Sequence, residues 1–170
     1  PSAGRRRLPP GQRLVTDWPE LDLGVQPNLL PKDWSLEVSG LIDRPFKWTY
    51  TQLKKQPRAE FVSDIHCVTA WSRYDNRWEG VSAKHLLSVA KPRPEARFLI
   101  LKSYDGYSTG LPLARFDDED VLLATHWEGR PLTRGHGGPV RLVVPKLYFW
   151  KSAKWIRSIR FTDRDVKGFW

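Results

Sequence analysis

Apolar and polar residues alternate at every second position along much of this chain, and that period predicts strands. In "WSLEVSG" the alternation sets Trp34, Leu36 and Val38 on one face. In "EFVSDIHCV" it sets Phe61, Ser63, Ile65 and Cys67 against Val62, Asp64, His66 and Val68. "RFLILKSY" is almost continuously apolar, which predicts a central strand. Asp105-Gly106 then marks a turn that leads back through "YSTGLPL". "VLLATHW", "VRLVV" and "KWIRSIRFT" predict three further strands, with Trp155, Ile159 and Phe161 sharing a face in the last.

Helical signals are few and short. "TYTQLKKQ" opens on Thr49 with Gln52 three residues on, the capping-box spacing, and Pro57 follows. "SAKHLLSVAK" opens on Ser82, a good N-cap, and stops before Pro92. Fourteen prolines spread along the chain imply many loops. The expected fold class is α+β and mainly β, with mixed sheets and a few short helices. A dinucleotide-binding fold is excluded, because no glycine fingerprint follows a strand and no βαβ series occurs.

A chain of 170 residues suits one core. Two segments are expected: residues 1–17 as a flexible basic Pro/Gly-rich leader, and 18–170 as a single domain. The start at "PSAG", without methionine, reads as a trimmed or processed chain. No apolar run approaches the ~20 residues that span a bilayer, so no integral membrane segment is expected. The sequence carries 28 Lys+Arg against 19 Asp+Glu, a formal charge of +9, together with nine tryptophans. Such a surplus favours anionic partners, and aromatic side chains supply stacking surface. A basic nucleic-acid-binding β domain is therefore the alternative to an enzyme. That alternative leaves the one cysteine and a glycine cluster without a role.

Cys67 is the only cysteine, which excludes an internal disulfide and fits a reducing compartment; the cytoplasm is the default location. A lone cysteine is most often a small buried hydrophobe. As a hydrolase nucleophile it would need His126 or His136 as base. Structural zinc fits less well, because it usually needs paired ligands at short spacing, and adjacent His66 and Cys67 point to opposite faces of a strand. A soft metal whose other sulfur ligands come from an organic cofactor needs only one protein thiolate. Trp71, Trp78 and Arg73 flank the thiol in sequence, as lining of a funnel or as ordinary core and surface.

The second cluster is "GHGGPVRLVVPKLYFWKSAKWIRS", residues 135–158. Its glycines permit positive φ or close approach of backbone to a ligand. Arg141, Lys151, Ser152 and Lys154, with loop amides, are the ingredients of a phosphate site. The same residues equally suit a glycine turn with solvated lysines.

"HCVTAWS", "LATHWEGRPL", "HGGPVRLVVPKLYFWKSAKW" and a closing "DRDVKGFW" closely resemble the sulfite oxidase-like molybdopterin oxidoreductases. The nearest resemblance is to the small bacterial branch with only the cofactor domain, related to the catalytic subunit of periplasmic methionine sulfoxide reductase. It runs from about Trp18 to the end. The resemblance implies a sulfite oxidase-type fold around a molybdenum-molybdopterin cofactor without an appended nucleotide, and oxygen-atom transfer on a small polar substrate. It implies Cys67 as the molybdenum ligand and Arg141 as an arginine reaching the pterin. Ser152, Ala153 and Lys154 match the loop that holds the pterin phosphate. Ser103, Leu21 and Asp22 fall where relatives contact the cofactor. His136 stands where the methionine sulfoxide reductase branch has asparagine; both hydrogen-bond, but only histidine gains charge near neutral pH. The haem and dimerisation domains of animal sulfite oxidase have no counterpart in the sequence, so a separate electron-transfer partner is expected, and no nucleic acid.

Overall fold

Eleven strands among the described residues form two sheets in a computed structural model, which describes residues 13–14, 26–67, 71–145 and 153–165. For residues 13–14, 63–67 and 71–75 the description is of backbone alone. In chain order the strands are β1 (Arg13–Leu14), β2 (Ser35–Gly40), β3 (Phe46–Thr49), β4 (Ala59–Cys67), β5 (Trp71–Ser82) and β6 (Phe98–Ser103). They continue with β7 (Ser108–Pro112), β8 (Leu122–Trp127), β9 (Arg130–Pro131), β10 (Arg141–Val143) and β11 (Ile156–Thr162). The helices are α1 (Tyr50–Lys54), α2 (Ala83–Ala90) and α3 (Leu113–Phe116).

The first sheet runs β1-β5-β8-β10, with β4 beside β5 and β9 beside β8. The second runs β3-β2-β11-β6-β7. Parallel pairs β1–β5 and β11–β2 stand among antiparallel ones, so both sheets are mixed, as the sequence predicts. Arg13–Leu14 pairs with Trp71–Ser72, which ties two residues of the expected leader segment to β5.

Local chemistry sets the helix ends as the sequence predicts. Thr49 Oγ1 accepts from Gln52 N at 3.2 Å, and Gln52 Oε1 accepts from Thr49 N at 2.8 Å, closing the capping box. Ser82 Oγ accepts from His85 N at 3.0 Å, and Lys91 ends α2 in the left-handed region. His85 stacks on Trp48 and bonds Gln56 Oε1 through Nε2, a structural role.

The main core lies between the sheets. The predicted faces are all buried: Trp34, Leu36 and Val38 from one segment, and Trp155, Ile159 and Phe161 from another. At β8 and β10 the first sheet is covered on both sides, which explains why these strands read as continuous apolar runs. Leu123 and Leu142 enter the main core, while Leu122, Ala124 and Val143 join a second cluster with Trp78. Trp78 is fully buried, so core packing, not a funnel wall, is its role. Between β5 and β8 a side chain at Gly80 would collide with the Leu123 carbonyl oxygen, so the close approach at this register shift requires glycine. The second sheet turns its other face to water, where Glu37, Lys47, Lys102 and Arg160 are exposed.

Candidate cofactor site

The glycine cluster folds into a tight turn whose carbonyls are all occupied. Residues Arg134–His136 form a single 3-10 turn after Thr133, and Gly137 closes it at φ +98°. The Arg134 carbonyl accepts from Trp155 Nε1 at 2.8 Å and the Gly135 carbonyl from Lys154 Nζ at 2.8 Å. The His136 carbonyl accepts from Arg141 Nη1 at 2.9 Å, and the Gly137 carbonyl from Trp155 N at 3.2 Å. Four successive acceptors are thus consumed by three residues, two of them cations. A Cβ on Gly137 would stand 3.0 Å from Lys154 Cβ and 3.1 Å from Arg141 Cβ, so only glycine lets both cations lie against the turn. His136 is half-buried; Thr133 Oγ1 lies 3.0 Å from its Nδ1, and its ring leans on Trp127. Trp127 Nε1 in turn donates to buried Asn76 Oδ1 at 3.0 Å.

Arg141 is fully buried, with its guanidinium 5.9 Å from the centre of the Trp78 ring. Burial pulls its pKa down from the ordinary guanidinium range to about 9, because the charged form has lost its water. Lys154 is half-buried with Nζ over the Trp155 ring, and Ala153 is buried. The Ala153 carbonyl accepts from Leu142 N, which ties the Ala153–Lys154 stretch to β10.

Ser103 closes β6, pairs with Ile156, and is followed by Tyr104, whose N–H donates to the Trp155 carbonyl. Its Oγ is buried and has no hydrogen-bond partner among the described residues. Native interiors rarely leave such a hydroxyl idle without a ligand, water or ion to take it. Ser103, Ala153, Lys154, Trp155, His136 and Arg141 are therefore linked through one strand end and one turn. A buried cation, a second cation on the same turn and an idle buried hydroxyl fit a bound anion that carries further acceptor atoms.

Cys67 ends β4, in register with Trp71 at the far end of the β4–β5 ribbon; its side chain lies outside the description, as do those of Trp71 and Arg73. Leu21, Asp22 and Ser152 lie outside the described residues. His126 sits apart from the turn: Arg58 Nη2 donates to its Nδ1 at 2.9 Å, and Thr125 Oγ1 lies 2.8 Å from the same atom. Its pKa is lowered, by burial first and by the Arg58 charge second. Sequence reasoning missed Thr133, Asn76, Trp127 and Trp155 as parts of the site. Their contacts join distant segments, and no local spacing announces them.

The two sheets thus come with a glycine turn gripped by two cations. Over residues 23–170 the chain matches the sequence profile of the oxidoreductase molybdopterin binding domain, and it belongs to that family. It is an oxidoreductase of the sulfite oxidase-like group, related to the methionine sulfoxide reductase catalytic subunits. The uncharacterized oxidoreductase YuiH of Bacillus subtilis is 46% identical over 165 residues, which covers 96% of this chain and 83% of that one. The protein-methionine-sulfoxide reductase catalytic subunit MsrP of Campylobacter jejuni is 31% identical, over 84% of this chain and 54% of its own length. The crystal structure of the sulfane dehydrogenase SoxCD from Paracoccus pantotrophus superposes with a TM-score of 0.79 at 25% identity. That match covers 86% of this chain and 42% of SoxCD, so the fold is of the sulfite oxidase type while the chain spans about half of these longer relatives.

Proposed function

We propose that this oxidoreductase carries out two-electron oxygen-atom transfer on a small polar substrate of the sulfite, sulfoxide or N-oxide kind. Its cofactor is a molybdenum-molybdopterin without an appended nucleotide. When bound, that group supplies a metal that takes or gives two electrons as an oxygen atom leaves or joins the substrate. Cys67 holds the metal as a thiolate, a soft donor suited to it. Arg141 and Lys154 neutralise the terminal phosphate, Ser152 and the Ala153–Lys154 stretch surround it, and the Ser103 hydroxyl and His136 ring bond the pterin. Leu21 and Asp22 belong to the same set. The reading is carried by one observation above the others: a wholly buried guanidinium whose charge burial disfavours, set on a glycine turn beside a second cation.

The turn has a chemical consequence of its own. Because the carbonyls of residues 134–137 are all engaged, the loop presents no bare acceptor to an incoming anion. The two cations are oriented before anything binds, which lowers the ordering cost of binding. Electrons travel to or from a separate carrier protein, and the cytoplasm is the proposed location.

The test is Cys67→Ser in the loaded protein, read by molybdenum content, pterin content and turnover. Turnover is measured as dye-linked reduction of sulfoxides and N-oxides and as dye-linked oxidation of sulfite. Retained pterin with lost turnover is the expected result; undiminished turnover would refute the role of the thiol.

A further inference from the structure

The outer face of the second sheet carries cations that no ion pair among the described residues neutralises. On β11 the bulge between Ile156 and Ser158 places Arg157 outward, and Arg160 is exposed three residues on. Lys102 on β6 pairs with Ser158, so it is the diagonal neighbour of Arg160, about 7–8 Å away. Among the described residues Lys102 and Arg160 make no side-chain hydrogen bond or ion pair, and Arg157 touches only the ring of Tyr104, 5.5 Å from its centre. The same register row continues through Ser158 to Glu37 and Lys47, the one acid of the face and a fourth cation. Half-buried Ile100 and Phe98 lie beside the cations on β6, an apolar centre with a charged rim.

This face backs directly onto the candidate site. Strand alternation sends Lys102 outward and Ser103 inward, and Ser103 Oγ is the idle buried hydroxyl. Arg157 follows Ile156, which pairs with Ser103, and Tyr104 joins the Trp155 carbonyl. Trp155, two residues before Arg157, bonds the glycine turn and so links the patch to it. Among other exposed cations, Lys84 is compensated by Asp117 and Arg58 by Glu79, while Arg134 stands at the turn itself.

We infer that the face formed by Lys102, Arg157 and Arg160, with Ile100 at its centre, docks an acidic one-electron carrier protein. The inference rests on the proposed redox function and supplies its partner's chemistry and place. Each docking moves one electron between the carrier and the site, so two successive encounters serve one two-electron oxygen-atom transfer. Opposite charge steers the encounter and makes it sensitive to salt.

The test uses the loaded protein and plant-type ferredoxin as an acidic one-electron probe. Binding is measured by calorimetry at about 20 mM and about 200 mM salt, where screening lengths differ severalfold. Lys102→Glu/Arg157→Glu/Arg160→Glu is compared with Lys32→Glu/Lys55→Glu/Arg115→Glu, which changes the net charge equally at exposed positions elsewhere. Single substitutions to Gln at the three face positions accompany the triple variant, in case it folds poorly. Expected are binding by the unaltered protein that weakens about tenfold across the salt range, loss of about tenfold in the face variant, and near-unchanged binding in the control variant. Reduction of the metal by reduced ferredoxin should slow equally in the face variant, while reduction by the small dye methyl viologen stays unchanged. No binding to the unaltered protein, equal loss in the control variant, or a self-associated dimer dissolved by the face variant would each overturn the inference. So would duplex DNA held more tightly through the same residues. If viologen fails to reduce any metal centre in the unaltered protein, the redox reading falls instead, and the binding arm is judged alone.

Discussion

Replacing Arg141 by methionine should act with opposite signs on the empty and the loaded protein. Without an anion the charge is buried at a loss: a pKa lowered to about 9 lies more than three tenfold steps below the ordinary guanidinium value. At ~1.4 kcal/mol for each step, that is a burial cost of about 4–5 kcal/mol. Arg141→Met removes the cost but also leaves the His136 carbonyl without its 2.9 Å donor, worth about 1–3 kcal/mol. Loss of the contact with Trp78 subtracts about 1 kcal/mol more. The cofactor-free variant should therefore equal the unaltered protein or exceed it by up to about 3 kcal/mol, at roughly 2–4 °C in Tm for each kcal/mol. A depressed basic pKa means the unfolded chain holds more protons between about pH 9 and the ordinary guanidinium pKa. The cofactor-free protein must then gain stability as pH rises through that window, and the methionine variant must not. In the loaded protein the anion loses its buried partner, and molybdenum occupancy should fall at least about tenfold. Denaturant titration of both proteins at neutral and alkaline pH, with metal analysis of loaded samples, gives all the quantities. A cofactor-free variant weaker by more than about 1 kcal/mol, or one that loads normally, refutes the reasoning.

Three further outcomes can be checked. Lys154→Ala frees the Gly135 carbonyl and removes the second cation, so metal analysis should find lowered cofactor occupancy with the fold retained by circular dichroism. Gly137→Ala forces a side chain into a positive-φ position against Lys154 and Arg141, and thermal unfolding should register a loss of about 1–3 kcal/mol. His126 has a lowered pKa, so below its unfolded pKa the unfolded chain binds the proton first. Stability should fall as pH drops below the ordinary imidazole range, about 6.5, and His126→Gln should flatten part of that slope in pH-dependent melts.

Much of the fold was legible because period-two burial is a local property. Leu36 and Val38, or Ile159 and Phe161, declare their face within a few residues, and the caps at Thr49 and Ser82 are equally local. The twelve-residue strand Trp71–Ser82 leaves little trace in the sequence. Its charges at Arg73, Asp75, Arg77 and Glu79 mask an alternation whose buried members include Asn76 and Trp78. Phe46–Thr49 escaped notice for its brevity. Within the candidate site, Arg141, Lys154 and the glycines stood out by residue type. The grip of Trp155 on the turn from 21 residues away, and the Trp127–Asn76 bond that backs His136, are tertiary facts with no local trace.

The middle strand of the second sheet, β11, comes from residues 156–162, yet it pairs with β2 from residues 35–40 on one side and β6 on the other. Trp34 Nε1 reaches across 122 positions to the Ile156 carbonyl to pin that seam. Assembly of this half must wait until β11, far along the chain from β2, has been made, and pairing over so long a separation favours slow closure. Lys154 and Trp155 immediately precede the same strand, so the wall that grips the glycine turn arrives with it. The grip of Trp155 on the glycine turn is therefore complete only once β11 has closed the second sheet.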